Sequence, residues 1–111
     1  MKNIFLLLLT LSLFSVVSKS FAENDEKILL VFSTNWCKYC QNAKNDMNND
    51  AILSELVKNY TIVNVNTDSE KDIAKGYNIK TIPTFVIYQD GKEVGRQTGY
   101  KNSEQLINFL K

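Results

Sequence analysis

The chain has two cysteines, and both lie in Trp36-Cys37-Lys38-Tyr39-Cys40. A Cys-x-x-Cys where a strand gives way to a helix brings both sulfurs to one helical turn, so they can close a small ring with each other. The unpaired N–H groups of a helix's first turn stabilise a thiolate placed there, and Lys38 adds a nearby positive charge. Cysteines in such positions titrate at roughly 3.5–7.5 instead of about 8.5. Cys37 is therefore the expected nucleophile. Cys40, a turn further in, is the expected resolving thiol, which frees a bound substrate by attacking Cys37.

Other uses of the pair can be weighed. A purely structural bridge over so short a loop removes little unfolded-state entropy, so a redox role is favoured. The chain contains no His, which excludes a Cys–His hydrolase. A zinc site needs four ligands, and two cysteines fall short. A copper(I) carrier can use two thiolates, because soft ligands suit that ion. That is the rival reading from outside redox chemistry. In the redox reading no cofactor and no metal are called for, since the dithiol is itself the redox group.

The N-terminus reads as an export signal. Lys2 supplies a short positive region, Ile4 to Val17 is apolar apart from Thr10, Ser12 and Ser15, and Ser20-Phe21-Ala22 suits a signal peptidase. The apolar core is shorter than the roughly 20 residues of a spanning helix. Residues 1–22 are thus expected to be a signal peptide, leaving one domain over residues 23–111. Lys2 and Lys19 leave with the signal, so 11 basic and 12 acidic side chains remain. Near-neutral charge argues against nucleic acid or a polybasic membrane contact. Export would put the cysteines in a compartment where disulfides persist.

The elements that must position the pair can be read along the chain. Lys27 to Ser33 is a continuous apolar run with no helical period, which predicts a buried strand. Lys38 to Met47 suits an exposed helix, interrupted at Asn48-Asn49-Asp50. Asp50 can cap a second helical piece with Ile52, Leu53, Leu56 and Val57 on one face. Tyr60 to Val65 reads as a second strand. Asp68 or Ser69 is the expected cap of a short helix ending near Gly76. Thr84 to Tyr88 and Glu93 to Thr98 read as strands joined by the Asp90-Gly91 hairpin. Asn102 or Ser103 caps a last helix carrying Leu106, Ile107 and Leu110. The first two strands should run parallel and the last two antiparallel.

Trp36-Cys37-x-x-Cys40 after a strand, followed by Thr81-Ile82-Pro83-Thr84 before the next, resembles the thioredoxin superfamily. Asp90-Gly91 and Gly99 extend the match through the mature chain. The resemblance implies an α/β, minimal thioredoxin-like fold: a mixed four-stranded sheet in the order β-α-β-α-β-β-α, with helices on both faces. It implies a thiol–disulfide oxidoreductase with a redox-active Cys37–Cys40 disulfide, and a cis Ile82–Pro83 peptide against the sulfurs. It also implies a substrate groove formed by Trp36, Lys38, Tyr39, Ile82 and Pro83, where the Ile82 backbone pairs with the substrate chain.

The chain resembles the minimal core of small exported proteins of that superfamily, and it is expected to act as a periplasmic monomer. The implied partners are proteins bearing disulfides or thiols, with a membrane electron donor if the direction is reduction. Reduction is favoured, and oxidase or isomerase activity is the alternative. A partner-binding or copper(I)-binding module on the same fold is the alternative of another class. Four positions depart from typical thioredoxins. Lys38-Tyr39 replaces Gly-Pro, Val31 stands where a buried Asp is usual, and Asn64 stands where its Lys partner is usual. Without that Asp, the resolving step is expected to rely on water or an exposed group.

Overall fold

The computed structural model describes residues 26–111. The expected signal peptide and its cleavage site lie outside the described residues. The first strand, β1 (Lys27–Ser33), has Leu29 to Ser33 buried, as an apolar run covered on both faces must be. Helix α1 follows (Lys38–Asn49), then α2 (Ala51–Leu56), a 3-10 turn (Val57–Asn59) and β2 (Thr61–Asn66). Helix α3 (Lys71–Gly76), β3 (Thr84–Gln89), β4 (Lys92–Thr98) and α4 (Ser103–Leu110) complete the chain.

The four strands form one sheet in the order β2-β1-β3-β4. β1 and β2 run parallel, whereas β1–β3 and β3–β4 are antiparallel. Alternation along β1 divides the core. Leu29 and Val31 pack with Ala43 and Met47 of α1, Leu53 of α2, and Leu106 and Leu110 of α4. Leu30 and Phe32 face the other way, toward Val65, Val86 and Ala74 of α3. Helices therefore cover both faces, as the resemblance implied. The hairpin turns at Asp90 (φ 55°) and Gly91 (φ 75°). Two consecutive positive φ values are what a two-residue loop needs to match strand twist.

The break between α1 and α2 is a single residue. Asp50 ends the first helix with its backbone and opens the second with its side chain, which accepts from the N–H groups of Ile52 and Leu53 at 3.0 Å each. The bond to the Leu53 N–H, then those from Ser103 and Ile52, hold its carboxyl below the usual value against a smaller desolvation cost. A carboxylate with a depressed folded-state pKa stabilises the fold above its unfolded value, and that contribution disappears as pH falls through the folded one. Asp50→Ala is therefore expected to lower the urea midpoint at pH 7 and to converge on wild type well below pH 3.8. An equal deficit at both pH values would show that the cap's charge contributes nothing.

Two local expectations need correction. Neither Asp68 nor Ser69 caps α3. The N-cap is Glu70, which makes no side-chain cap bond. Instead Asn66 Oδ1 accepts from the Asp68 and Ser69 N–H groups, at 2.9 and 3.3 Å, and turns the chain before the helix starts. Ile52 is 59% exposed rather than joining the core with Leu53. Adjacent residues on a helix point about 100° apart, and a six-residue helix can bury only one stripe.

Candidate functional site

Four connections meet at one end of the sheet. β1 and β2 are parallel and both end there, at Ser33 and Asn66, and Thr67 N–H donates to Ser33 O at 2.9 Å. β3 starts there, with Thr84 beside Phe32. β4 ends there, with Thr98 opposite Thr84. The topology thus gathers Thr34–Cys37, Thr67–Glu70, Thr81–Pro83 and Gly99–Tyr100 around the C-terminal ends of the parallel strands, the usual location of sites in open α/β sheets.

Cys37 is the N-cap of α1, in extended backbone, and its carbonyl accepts the first helical bond from Gln41 N–H at 3.1 Å. Its Sγ accepts from the Cys40 N–H at 3.2 Å. One orphan donor of the helix start is thereby aimed at this sulfur, as thiolate stabilisation requires. Cys37 and Cys40 are disulfide-bonded, with Cα atoms 5.2 Å apart. Cys37 keeps 6% of its surface and Cys40 only 1%. The two sulfurs are chemically alike but unequally reachable, and the outer one carries the helix-end N–H.

Trp36 and Tyr39 flank the pair and are 69% and 64% exposed. Lys38 is exposed beside them. Ile82 is half-buried and Pro83 fully buried, and the peptide between them is cis. Two bonds fix the surroundings. Gly99, at φ 85° where only glycine sits easily, donates its N–H to Pro83 O at 2.7 Å. The next residue, Tyr100, donates its hydroxyl to Asp46 on α1. Burial first, and then the bond to Asp46, push the Tyr100 phenol well above its ordinary value, so it stays a donor. The proline loop and the cysteine helix are thus tied to adjacent residues.

Asp68 is the residue whose role the sequence did not reveal. Its carboxylate accepts from the Trp36 indole N–H at 2.8 Å, across 32 positions. That bond holds a large exposed ring beside Cys37 in one orientation. Trp36 is the only tryptophan, so its fluorescence reports the bond directly. Asp68→Ala is expected to shift the emission and raise its anisotropy decay rate. Exchange with protein disulfides should slow severalfold while the urea midpoint stays nearly unchanged. Unaltered fluorescence would mean that the ring is held by something else.

Val31 and Asn64 are Cα partners across β1 and β2. Val31 is 1% exposed and lies in the apolar cluster, whereas Asn64 is exposed. Among the described residues, no group of three or more His, Cys, Asp or Glu side chains is placed to hold a metal.

A family model described as a thioredoxin-like domain matches residues 14–111. The chain belongs to the thioredoxin superfamily. A thioredoxin of Chlamydia trachomatis is 34% identical over 83 residues, covering 75% of this chain and 78% of the relative. A thioredoxin-like protein of Synechocystis is 29% identical over 97 residues, covering 87% and 90%. The solved structure of a thioredoxin-fold protein from Helicobacter pylori has a TM-score of 0.69 at 27% identity, over 78% of this chain and 68% of that one. Family and cysteine pair together make this thioredoxin-superfamily protein a thiol–disulfide oxidoreductase.

Proposed function

We propose that the protein is exported and works as a periplasmic monomer that reduces disulfides in other proteins. The observation that supports this most is the asymmetry of the pair: Cys37 at the helix end, Cys40 behind it. In the reduced protein the Cys37 thiolate attacks one sulfur of a partner disulfide. A mixed disulfide forms and the partner's other sulfur leaves as a thiolate. Cys40, deprotonated by water or an exposed base, then attacks Cys37 Sγ. The internal disulfide closes and the second partner sulfur is released. Two electrons pass to the partner, and an outside donor, a membrane protein in this reading, must return them.

Trp36, Lys38, Tyr39, Ile82 and Pro83 form the groove in which the partner lies, and the Ile82 backbone pairs with it as an added strand. The Lys38-Tyr39 dipeptide keeps the oxidase or isomerase direction as a second reading, because residues between the cysteines tune the potential.

Catalysed reduction of insulin by dithiothreitol tests the chemistry. Running oxidised and reduced protein against a glutathione buffer then sets the direction. A potential near that of strong oxidants would overturn the reductase reading. Stoichiometric copper(I) binding without exchange would overturn both. N-terminal mass analysis of the exported protein tests the signal, with Glu23 as the expected first residue.

A further inference from the structure

Among the described residues, β2 has one neighbour, β1, and its other edge is open. The hydrogen-bond pattern shows which groups that edge offers. Thr67 N–H points inward to Ser33 O. Backbone groups alternate along a parallel strand, so Ile62, Asn64 and Asn66 point outward. Asn66 is already satisfied: its N–H donates to Glu70 Oε1 at 3.3 Å, and its carbonyl accepts from Glu70 N–H at 2.8 Å. Among the described residues, the N–H and the carbonyl of Ile62 and of Asn64 have no partner on that edge. The strand Thr61–Asn66 carries no charge and no proline, the devices that usually blunt such an edge.

A cavity of about 350 Å³ opens beside these two residues, lined by Lys44, Met47, Asn48, Val57, Ile62 and Asn64. Its floor is apolar, and among the described residues the one charge lining it is the Lys44 ammonium. On the opposite face of the strand Val63 is 40% exposed. We propose that this edge docks an extended segment of a protein partner, which adds a fifth strand against Ile62 and Asn64. Side chains alternate across a strand. The segment would therefore seat an apolar side chain in the cavity and set a carboxylate two residues on, on the same face, against Lys44.

A second copy of this chain fits less well. Two β2 edges paired about a two-fold axis normal to the sheet would keep like faces together and bring the two Lys44 side chains to the same side. Lys44 lies seven residues beyond Cys37 along α1, roughly 10 Å. A partner docked here thus lies within a few residues' reach of the disulfide, without occupying the Trp36–Pro83 groove. The docking itself needs no exchange chemistry, so it stands or falls apart from the reductase reading.

Amide NMR of the oxidised protein tests it, with the acetylated and amidated heptapeptide Thr-Leu-Thr-Leu-Thr-Glu-Thr as probe and its Glu-to-Lys version as control. The acidic peptide is expected to shift the Ile62 and Asn64 amides and slow their solvent exchange at least about tenfold. Lys44→Glu should weaken it about tenfold and reverse the order of the two peptides. Asn64→Pro removes only an outward N–H, which an edge strand tolerates, and should abolish binding while leaving insulin reduction intact. If that variant fails to fold, the charge swap still decides. Shifts confined to the Cys37 and Pro83 loops, or equal affinity for both peptides, would overturn the proposal. So would Ile62 and Asn64 amides already protected in the protein alone.

Discussion

Cys40→Ser is expected to accumulate covalent adducts with protein partners in the cell, whereas Cys37→Ser accumulates none. The reason is order of events rather than reactivity alone. The first attack needs a sulfur that a partner can reach, and Cys37 keeps 6% of its surface against 1% for Cys40. It also needs a thiolate, and only Cys37 receives a helix-end N–H, from Cys40 at 3.2 Å. Removing Cys40 leaves that first step intact and deletes the second, so the mixed disulfide has no internal exit. Removing Cys37 leaves a buried thiol with no route to substrate. Either single variant should lower multiple-turnover insulin reduction by at least about a hundredfold, because both steps are needed in each cycle. Non-reducing gels with mass identification of the trapped chains read the difference. Equal trapping by the two variants would contradict the assigned order, and trapping by neither would remove the claim that this protein processes other proteins.

Local signals made much of the fold legible. The apolar run Lys27–Ser33 matches β1 at both ends, and the Asp90-Gly91 turn and the Asn102 cap lie where their side chains and backbone freedom demand. Each is decided within a few residues. Asp68 was misread because its rival partner, the Trp36 indole, is 32 positions away, and no local pattern announces it. The Tyr100–Asp46 bond spans 54 positions and was invisible for the same reason. The cysteine pair was legible because spacing alone brings the sulfurs together. What surrounds the pair depends on four connections meeting at one end of the sheet, and that depends on strand order, which periodicity does not carry. Among the described residues, the place of β2 at the outside of the sheet, which leaves Ile62 and Asn64 on its edge, likewise follows from strand order.

Val31→Asp is expected to be the most destabilising single change near the site, and its size should depend on pH. Val31 is 1% exposed in the cluster with Leu29, Phe85 and Leu106. Its Cα partners are Asn64 on one side and Phe85 on the other, and neither offers a positive charge. A carboxylate introduced there is desolvated without a partner, which costs about 3–5 kcal/mol when it is ionised. The same desolvation raises its folded-state pKa above the unfolded value of about 3.9. The sign follows from linkage. Below about pH 3.9 the group is protonated in both states, and only lost apolar packing remains. As pH rises toward the folded pKa the penalty grows by about 1.4 kcal/mol per unit, and above it stays constant. Asn64→Lys alone should change stability by less than about 0.5 kcal/mol, being exposed. Combined with Val31→Asp it should recover about 1 kcal/mol or more, since the two positions are partners across the strands. Urea unfolding at pH 4 and pH 7 measures all three variants. A pH-independent deficit for Val31→Asp would mean that the introduced carboxyl reaches water. In the single variant the rate of disulfide closure should acquire an inflection at the raised pKa. The wild type should lack that inflection, because with Val31 in place no carboxyl stands there to titrate.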